Sequence, residues 1–484
     1  MKINRFMFFV LMVGMALNWG CQPANPSDVS LENDPLAYVD PMIGTGGHGH
    51  TFPGATVPFG MVQLSPSNDY KGWDWSSGYH HSDSTIKGFA HNHISGPGLV
   101  GLGDILVMPG RAAYTKAGTE SNPDEGFRAR FTHDDETARA GYYGVELRDE
   151  NIMAELTASP RMGYHKYTFD GDAPAFIMVD PTHGLNENII EVHLEKLSDN
   201  EIQGYKYNSG WSAGERTMYF YARFSQPIAS FQLSSGESIL DGESATGKRV
   251  MSQIGFDLEP GDSVLMQVAL SAVSFAGARK NYEAEAVATF AEAYQNAKGS
   301  WRSVMHKIQI GGATTKQKRI FFTGMYHAFI SPNLISDVDG KYYVEGQVFE
   351  SEIPQYSNYS TWDTYRALHP MFTIIEKEKT AEFANSLSSR VTEAGVGLPS
   401  WECNGYDNRC MIGYSATSPI ADAILKDIPG VDIEGGYEAI RYAAFDPTKH
   451  SAVSDVNGLD EYMKYGYVTS ETGVSVSKTT EQAY

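Results

Sequence analysis

The sequence predicts two consecutive domains, an antiparallel β-sandwich followed by an all-helical domain. Between residues 38 and 274, apolar and polar residues alternate in short segments that Gly, Asp and Asn interrupt at close intervals. This pattern is typical of antiparallel strands that bury one face against a second sheet. From residue 282 onward the apolar residues recur at helical spacing instead. A chain of 484 residues has room for two such domains.

The N-terminal segment has the features of an export signal. Two basic residues precede an apolar run at residues 7–17, which is too short to cross a bilayer. Cys21 follows in a context similar to the cleavage site of bacterial lipoproteins. We therefore predict a signal peptide at residues 1–21 with a lipidated Cys21, and a polar tether at residues 22–37. This places the protein in the periplasm, or at the outer membrane or cell surface, of a Gram-negative bacterium; a plain signal peptide is the alternative.

The sandwich is predicted at residues 38–280. The alternation is clearest at Ile190, Val192 and Leu194, and again between residues 218 and 224. Side chains two residues apart lie on the same face of a strand. We therefore expect these apolar residues to pack into the core between the sheets.

Helices dominate the rest of the chain. The segment 282–308 is rich in Ala and Glu and has no proline, so it predicts one helix within a linker at residues 281–310. A helical domain follows at residues 311–484. Within it the apolar spacing predicts four helices, at residues 315–330, 379–393, 415–428 and 435–444. The segments between them include loops longer than about 15 residues, which are usually functional in compact domains.

The stretch from residue 40 to residue 109 has an unusual composition. It holds six of the 14 histidines and is dense in glycine and aromatic residues. Glycine lets the backbone approach a ligand closely, imidazole can hydrogen-bond to hydroxyl groups, and indole can stack on the apolar face of a sugar. We predict that this stretch forms one wall of a polar ligand site. Its candidate substrate-binding residues are Gly47, His48, Trp73, Trp75 and His93.

Two His-x-His pairs occur in this stretch. His48 with His50, and His91 with His93, would place two imidazoles on one face of a strand. That spacing suits zinc or another transition metal. We favour roles in orienting loops or contacting a sugar, and metal binding is the alternative.

Charge and cysteine usage narrow the possible functions. The formal net charge of −22 argues against nucleic acid, whose binding surfaces are basic, and against a polybasic membrane-binding patch. After Cys21 only Cys403 and Cys410 remain, and no C-x-x-C motif suggests zinc. In an oxidising compartment these two cysteines could form a disulfide; two free thiols are an equally open alternative.

A second group of candidate residues lies in the long loops of the helical domain. Asp363 stands between Trp362 and Arg366, where a carboxylate could accept hydrogen bonds from two sugar hydroxyls beside an indole. The alternative is an Asp that only caps a helix, worth about 1 kcal/mol. Trp401 and Glu402 form a similar pair. For Trp401, packing beneath its own loop is equally plausible.

Four segments together resemble the motifs of glycoside hydrolase family 92. They occur in family order from about residue 38 to the end, and they read YVDPMIGTGGHGHTFPGATVPFGMVQLSP, GFAHNHISGPG, STWDTYRALHP and GLPSWECNGYDNRCMIGY. The resemblance implies a calcium-dependent, inverting exo-α-mannosidase that acts on α-mannosides such as yeast mannan and N-glycans. It also implies an N-terminal β-sandwich joined by helices to an (α/α)6 toroid, with the active site between the two. Calcium prefers oxygen ligands, which disfavours the histidine pairs as its site.

The resemblance places the catalytic carboxyl groups beyond the residues present. An inverting glycosidase needs a general acid and a general base about 6.5–9.5 Å apart. Family members carry these groups, and most calcium ligands, in an EGN-x-W-x-Y and a GNDDCGQMSAW motif, neither of which occurs here. A closed toroid also needs at least about 200 residues, more than lie between Gly311 and Tyr484. We therefore expect an incomplete toroid and no appreciable turnover by this polypeptide.

Three functions follow from these observations, in order of preference. The first is an α-mannosidase of which this chain is the front part. The second is a non-catalytic, surface-anchored protein that binds mannosides through the same loops. The third is a metal-dependent hydrolase that uses the His-x-His pairs.

Overall fold

A computed structural model describes residues 34–411, 415–445 and 463–467 of the chain. The predicted signal peptide, Cys21 and most of the tether lie outside these residues, so lipidation and membrane anchoring remain predictions. Among the described helices, none is both long enough and apolar enough to cross a bilayer.

The N-terminal part consists of antiparallel strands, as the alternating pattern predicts. The strands are β1 (Ala55–Thr56), β2 (Gln63–Ser67), β3 (Thr85–Ile86), β4 (Gly88–Ala90), β5 (Leu106–Gly110), β6 (Ala129–Arg130), β7 (Glu136–Arg139), β8 (Tyr142–Leu147), β9 (Ile152–Ala158), β10 (Met162–Phe169), β11 (Ala175–Asp180), β12 (Asn188–Ser198), β13 (Glu201–Gly210), β14 (Gly214–Phe224), β15 (Ser230–Ser235), β16 (Ser238–Leu240), β17 (Ser244–Gly247), β18 (Val250–Phe256) and β19 (Asp262–Ser271).

Most of these strands form two large sheets. One has eight strands in the order β1-β2-β4-β5-β11-β18-β15-β16, and the other has nine in the order β17-β12-β13-β14-β19-β10-β9-β8-β7. Phe89 on the first sheet lies 6.2 Å, between ring centroids, from Tyr167 on the second. Both rings are fully buried in one apolar core with residues from both sheets. The two sheets therefore pack face to face as a β-sandwich.

The predicted alternation is confirmed for Val192 and Leu194 but not for Ile190, which is only half-buried at an irregularity in the pairing of β12 with β13. Val192 and Leu194 are fully buried on β12, while their neighbours His193 and Glu195 are only partly buried. On β14, Met218 and Phe220 are buried in the same way. Period-two spacing therefore places these apolar side chains between the sheets.

The C-terminal part is helical with short hairpins between the helices. Its helices are α1 (Phe275–Glu285), α2 (Phe290–Met305), α3 (Thr315–Ala328), α4 (Thr361–Thr364), α5 (Leu368–Ile375), α6 (Lys377–Thr392), α7 (Thr417–Leu425) and α8 (Ile433–Phe445). Its short strands are β20 (Asn333–Leu334), β21 (Lys341–Val344), β22 (Gln347–Glu350), β23 (Tyr356–Ser357), β24 (Glu402–Cys403) and β25 (Tyr406–Asp407). The four helices predicted within this domain correspond to α3, α6, α7 and α8.

The single helix predicted at residues 282–308 is wrong, because the segment contains a break. Helix α1 ends at Glu285, and Ala286 adopts an extended conformation. Thr289 then caps a new helix, since its side chain accepts a hydrogen bond from the Glu292 amide. Because the segment is rich in Ala and Glu throughout, its composition does not indicate that a second helix begins within it.

The sandwich and the helical domain share a buried aromatic contact. Phe59, from the loop between β1 and β2, packs against Phe329, Phe372 and Phe383 of the helical domain at centroid distances of 5.1–5.6 Å. The Phe59 amide donates to the Phe329 carbonyl at 2.9 Å, and the Phe59 carbonyl accepts from the Leu334 amide at 2.9 Å. Buried apolar area and backbone hydrogen bonds together fix the two domains beside each other.

Candidate functional site

A cleft of about 380 Å³ opens between the two domains. The sandwich contributes loop residues to one wall, and the helical domain contributes the other wall. The lining residues from the sandwich are Thr51, Ile94, Ser95, Gly96 and Pro97, and those from the helical domain are His327, Ser331, Pro332, Asn358, Tyr359, Ser360, Asp363, Thr364, Leu368 and Trp401. The cleft thus joins the glycine- and histidine-rich stretch to the short helix α4, which carries Asp363.

Two loops of the sandwich form the first wall. The Gly96 amide donates to the His50 carbonyl at 2.8 Å, which ties the loop carrying residues 94–97 to the loop carrying Thr51. A Cβ at Gly49 would lie 2.0 Å from the Gly44 carbonyl oxygen. Only glycine at position 49 allows the loop that carries Thr51 to approach its own backbone this closely.

Trp73 and His48 lie at the rim of this wall. Trp73 is 56% exposed, and its Nε1 donates to the Gly98 carbonyl at 3.0 Å. A Cβ at Gly98 would overlap the indole, with 2.0 Å to Nε1. His48 Nδ1 contacts an Asp74 carboxylate oxygen at 2.6 Å, and this hydrogen bond is the main cause that lowers the pKa of Asp74. Trp73 therefore presents an indole to solvent beside the cleft.

Gly47 and Trp75 lie behind the rim. The Gly47 carbonyl accepts a hydrogen bond from His80 Nε2 at 3.3 Å. The Trp75 Nε1 donates to Asp83 at 2.9 Å, and Lys71 Nζ lies 4.8 Å from the centre of the Trp75 ring. Neither Gly47 nor Trp75 is among the residues that line the cleft.

The His-x-His pairs do not lie on strands, which corrects the prediction. His48 and His50 belong to a turn, and His50 has a positive φ of 53° that breaks the alternation of side chains. His91 and His93 lie in irregular structure after β4. In the described part of the chain, no three His, Cys, Asp or Glu side chains are grouped so that they could hold a metal ion.

His93 is a buried neutral residue. Its Nδ1 donates to the Gln63 carbonyl at 2.9 Å, and burial lowers its pKa to about 4. Its ring is 1% exposed and packs against Gly78. His93 therefore supports the wall from behind and does not line the cleft.

The second wall is organised around Ser360. The Trp401 Nε1 donates to Ser360 Oγ at 2.9 Å, and the Ser360 hydroxyl donates to an Asp363 carboxylate oxygen. Trp401 is buried, whereas Asp363 is exposed to the cleft. Together the three side chains place one carboxylate and one indole edge in the same wall.

Trp362 and Arg366 form a separate pair on the outer side of α4. The Arg366 guanidinium carbon lies 4.7 Å from the centre of the Trp362 ring and 5.0 Å from that of Tyr365. Neither Trp362 nor Arg366 lines the cleft. Because Trp362 and Asp363 are adjacent on a short helix, their side chains point in different directions.

Glu402 lies behind the cleft in a buried ion pair. Its two carboxylate oxygens accept from Arg390 Nε and one terminal guanidinium nitrogen at 2.8 and 2.9 Å. Burial alone would lower the pKa of Arg390, but the Glu402 carboxylate raises it above its ordinary value. Both side chains are buried, so this pair braces the strand next to Trp401.

His327 lines the cleft, although no sequence pattern indicates it. Its Nε2 donates to the Ile43 carbonyl at 3.1 Å, so the neutral tautomer carries its lone pair on Nδ1. Nδ1 has no hydrogen-bonding partner, and burial lowers the pKa of the ring. A lone histidine near the end of a helix gives no signal in sequence; only the packing of α3 against residue 43 identifies it.

Cys403 and Cys410, which both lie among the described residues, are not joined by a disulfide. Cys403 is fully buried, and burial raises the pKa of its thiol. Both cysteines pack in an apolar cluster with Trp401 and Ile94, two residues that line the cleft.

A concave site between two domains, lined by apolar and aromatic side chains with a few polar groups, is typical of proteins that bind small ligands. Two family models match the chain: the glycosyl hydrolase family 92 N-terminal domain at residues 38–271 and the family 92 catalytic domain at residues 277–484. The chain therefore belongs to glycosyl hydrolase family 92, as its motifs predict.

Solved structures and a curated relative agree with this assignment. A family GH92 α-mannosidase from Bacteroides thetaiotaomicron, solved with mannoimidazole, is 36% identical with a TM-score of 0.87, and the match covers 93% of this chain and 60% of that one. A family GH92 inverting mannosidase from the same organism is 25% identical with a TM-score of 0.80, covering 93% and 61%. An uncharacterized secreted glycosidase from Arthroderma benhamiae is 25% identical, covering 94% and 59%. The chain thus spans about 60% of the length of these relatives.

Proposed function

We propose that the interdomain cleft binds the terminal sugar of α-mannosides and that the chain supplies this recognition to an exo-acting, inverting α-mannosidase. The family assignment supports a glycoside hydrolase. The similarity to an α-mannosidase solved with mannoimidazole supports mannose as the sugar. Natural substrates would be α-mannosidic linkages, such as α-1,2, in N-glycans or mannans.

The observation that carries this proposal is the hydrogen-bonded series of Trp401, Ser360 and Asp363, facing the loop that carries Gly96. A carboxylate held by a neighbouring hydroxyl can still accept hydrogen bonds from two sugar hydroxyls. The indole of Trp401 adds an apolar surface. At about 380 Å³ the cleft is near the small end of ligand sites, roughly 300–1,000 Å³, which suits one terminal sugar.

We assign Asp363 a binding role and not a catalytic one. Inversion requires two carboxyl groups on opposite sides of the scissile bond. Among the described residues that line the cleft, Asp363 is the only carboxylate. The general acid and base would therefore come from groups other than these residues.

Calcium is part of this proposal for the whole enzyme. When bound, a calcium ion would coordinate sugar hydroxyls through its preference for oxygen. The described residues do not fit a calcium site, since they contain no group of three or more acidic, His or Cys side chains placed to hold a metal.

A non-catalytic mannoside-binding protein is the second candidate. The single cleft carboxylate among the described residues favours it, because binding needs only one such group whereas inversion needs two. The secreted fungal relative supports an extracytoplasmic role. We propose that the chain meets glycans as a surface lipoprotein.

Calorimetric titration with mannoimidazole and methyl α-mannoside tests binding. Release of mannose from an aryl α-mannoside tests hydrolysis. We expect binding in the wild-type chain and a large loss of affinity in Asp363→Asn. The control is Asp257→Asn, since Asp257 is exposed just beyond β18. Binding without mannose release favours the second candidate, and no binding of either ligand rejects both.

A further inference from the structure

We propose that Trp211 forms an outer sugar-binding platform at the mouth of the cleft, where it stacks on a mannose unit beyond the one bound inside. The inference rests on the proposed function. Trp211 lies outside the four family-like motifs, in the turn between β13 and β14. Its side chain is 61% exposed.

The turn that carries Trp211 is tightly held. It comprises residues 211–213 and closes at Gly214, whose φ is +61°. Ser212 and Ala213 are each only 1% exposed. Two small residues are therefore buried, while the largest apolar side chain of the turn points to solvent. Burial of apolar area would favour the reverse arrangement.

The contacts of the turn place Trp211 beside the cleft. The Ser212 hydroxyl donates to the Val100 carbonyl, and the Ser212 carbonyl accepts from Asn408 Nδ2 at 3.3 Å. Ala213 packs in the same apolar cluster as Ile94 and Trp401, which both line the cleft. The turn is thus attached to both walls.

A second exposed indole, that of Trp73, contacts the same loop to which the turn of Trp211 is bonded. Trp73 donates to the Gly98 carbonyl, and the Val100 carbonyl receives the hydroxyl that follows Trp211. These carbonyls belong to residues two positions apart in sequence, a span of at most about 7 Å. One short loop therefore anchors Trp73 directly and anchors the turn of Trp211 through Ser212.

This arrangement suits a particular class of ligand. Indole faces stack on the apolar faces of pyranose rings. Two exposed indoles beside a one-sugar cleft would bind successive units of an oligosaccharide. The ligand expected here is a chain of α-linked mannose units that extends outward from the sugar in the cleft.

The test compares Trp211→Ala with Trp211→Phe and with Ile239→Ala. Ile239 is 55% exposed on β16 and serves as a control for loss of an exposed apolar side chain. Each full-length variant is titrated with mannoimidazole and with a linear α-mannotetraose. For Trp211→Ala we expect roughly three- to tenfold weaker binding of the tetraose and unchanged binding of mannoimidazole. Phe should retain most of the affinity, and Ile239→Ala should match the wild type.

Three outcomes would overturn the inference. Equal tetraose affinity in Trp211→Ala and wild type would show that the indole makes no contact. An equal loss for both ligands would show that Trp211 only supports the cleft. If the wild-type chain binds mannoimidazole and Trp211→Ala leaves the tetraose affinity unchanged, the proposed function stands while this inference fails. If the wild-type chain binds neither ligand, the proposed function and this inference both fail.

Discussion

The indole nitrogen of Trp401 donates to Ser360 Oγ at 2.9 Å, and this bond links the residue before β24 to the start of α4, the helix that carries Asp363. Trp401 is buried and Ser360 lines the cleft. The Ser360 hydroxyl in turn donates a hydrogen bond to the Asp363 carboxylate. A buried residue thereby sets the orientation of an exposed carboxylate.

Replacing Trp401 with Phe should weaken mannoside binding. The variant keeps an aromatic ring but loses the N–H, and a hydrogen bond contributes about 1 kcal/mol, or roughly fivefold in affinity. Calorimetric titration with methyl α-mannoside measures the loss. Trp301→Phe is the matched control, because Trp301 Nε1 donates to the Thr56 carbonyl at 2.6 Å away from the cleft. A loss of stability without a loss of affinity in Trp401→Phe would contradict the prediction.

Breaking the Arg390–Glu402 pair should destabilise the helical domain. Both side chains are buried, so Glu402→Ala leaves an unpaired guanidinium, at a cost of about 3–5 kcal/mol. Chemical denaturation measures the free energy of unfolding. Glu283→Ala removes an exposed ion pair with Arg279 and should cost less than about 1 kcal/mol. Similar costs for the two variants would show that Arg390 finds another partner.

Four buried charges beneath the sandwich wall should be energetically coupled. Lys206 and Arg216 each contact both Asp104 and Glu187 at 2.6–3.0 Å. Burial alone would raise the pKa of Asp104, but Arg216 and Lys206 hold it well below its ordinary value.

Lys206→Met therefore leaves two carboxylates with one cation and should cost about 3–5 kcal/mol. Lys206→Met combined with Glu187→Gln should cost less than the sum of the single variants, because it leaves one neutralised pair of Asp104 and Arg216. Denaturant unfolding of both single variants and the double variant measures this coupling. Strictly additive costs would mean that the four charges act independently.

Asp337 should make stability fall as pH rises. Burial raises its pKa to about 6, although Ser271 and Asn281 donate hydrogen bonds to it at 2.7 Å. The native state therefore binds a proton that the unfolded chain, with a pKa near 3.8, has released. The proton bound to Asp337 stabilises the native state fully below pH 3.8, and this stabilisation is lost as pH rises through about 6.

Asp337→Asn has no charge to bury, so relative to the wild type it should gain up to about 3 kcal/mol between pH 4 and pH 7. Unfolding at several pH values measures this gain. Asp339→Asn is the control, because Lys280 helps to hold the pKa of Asp339 below its ordinary value against the effect of burial. The Asp339 carboxylate contributes to stability with the opposite pH dependence: its contribution is present at neutral pH and is lost on acidification. Parallel pH profiles for Asp337→Asn and wild type would refute the prediction.

The fold was largely predictable because local periodicity reflects burial. Alternation predicts that Val192 and Leu194 share a buried face, and helical spacing predicts most of the helices in the second domain. The break between α1 and α2 was missed, since a Thr cap inside an Ala-rich segment is a weak signal. The His-x-His geometry was also wrong, because strand alternation cannot be assumed where a residue such as His50 has a positive φ.

The sequence by itself determined the two-domain order, the family and the two segments from which the cleft is built. Residue type and spacing suffice for these, because they encode which face is buried and which loops carry polar and aromatic groups. Only the tertiary structure decided which candidates reach the cleft. Asp363 and Trp401 line it, whereas Glu402 lies behind it with Arg390. His327 also lines the cleft, although no sequence pattern indicates it. The orientation of a side chain in the cleft depends on partners hundreds of residues away, as between His327 and Ile43, and no local pattern records such contacts.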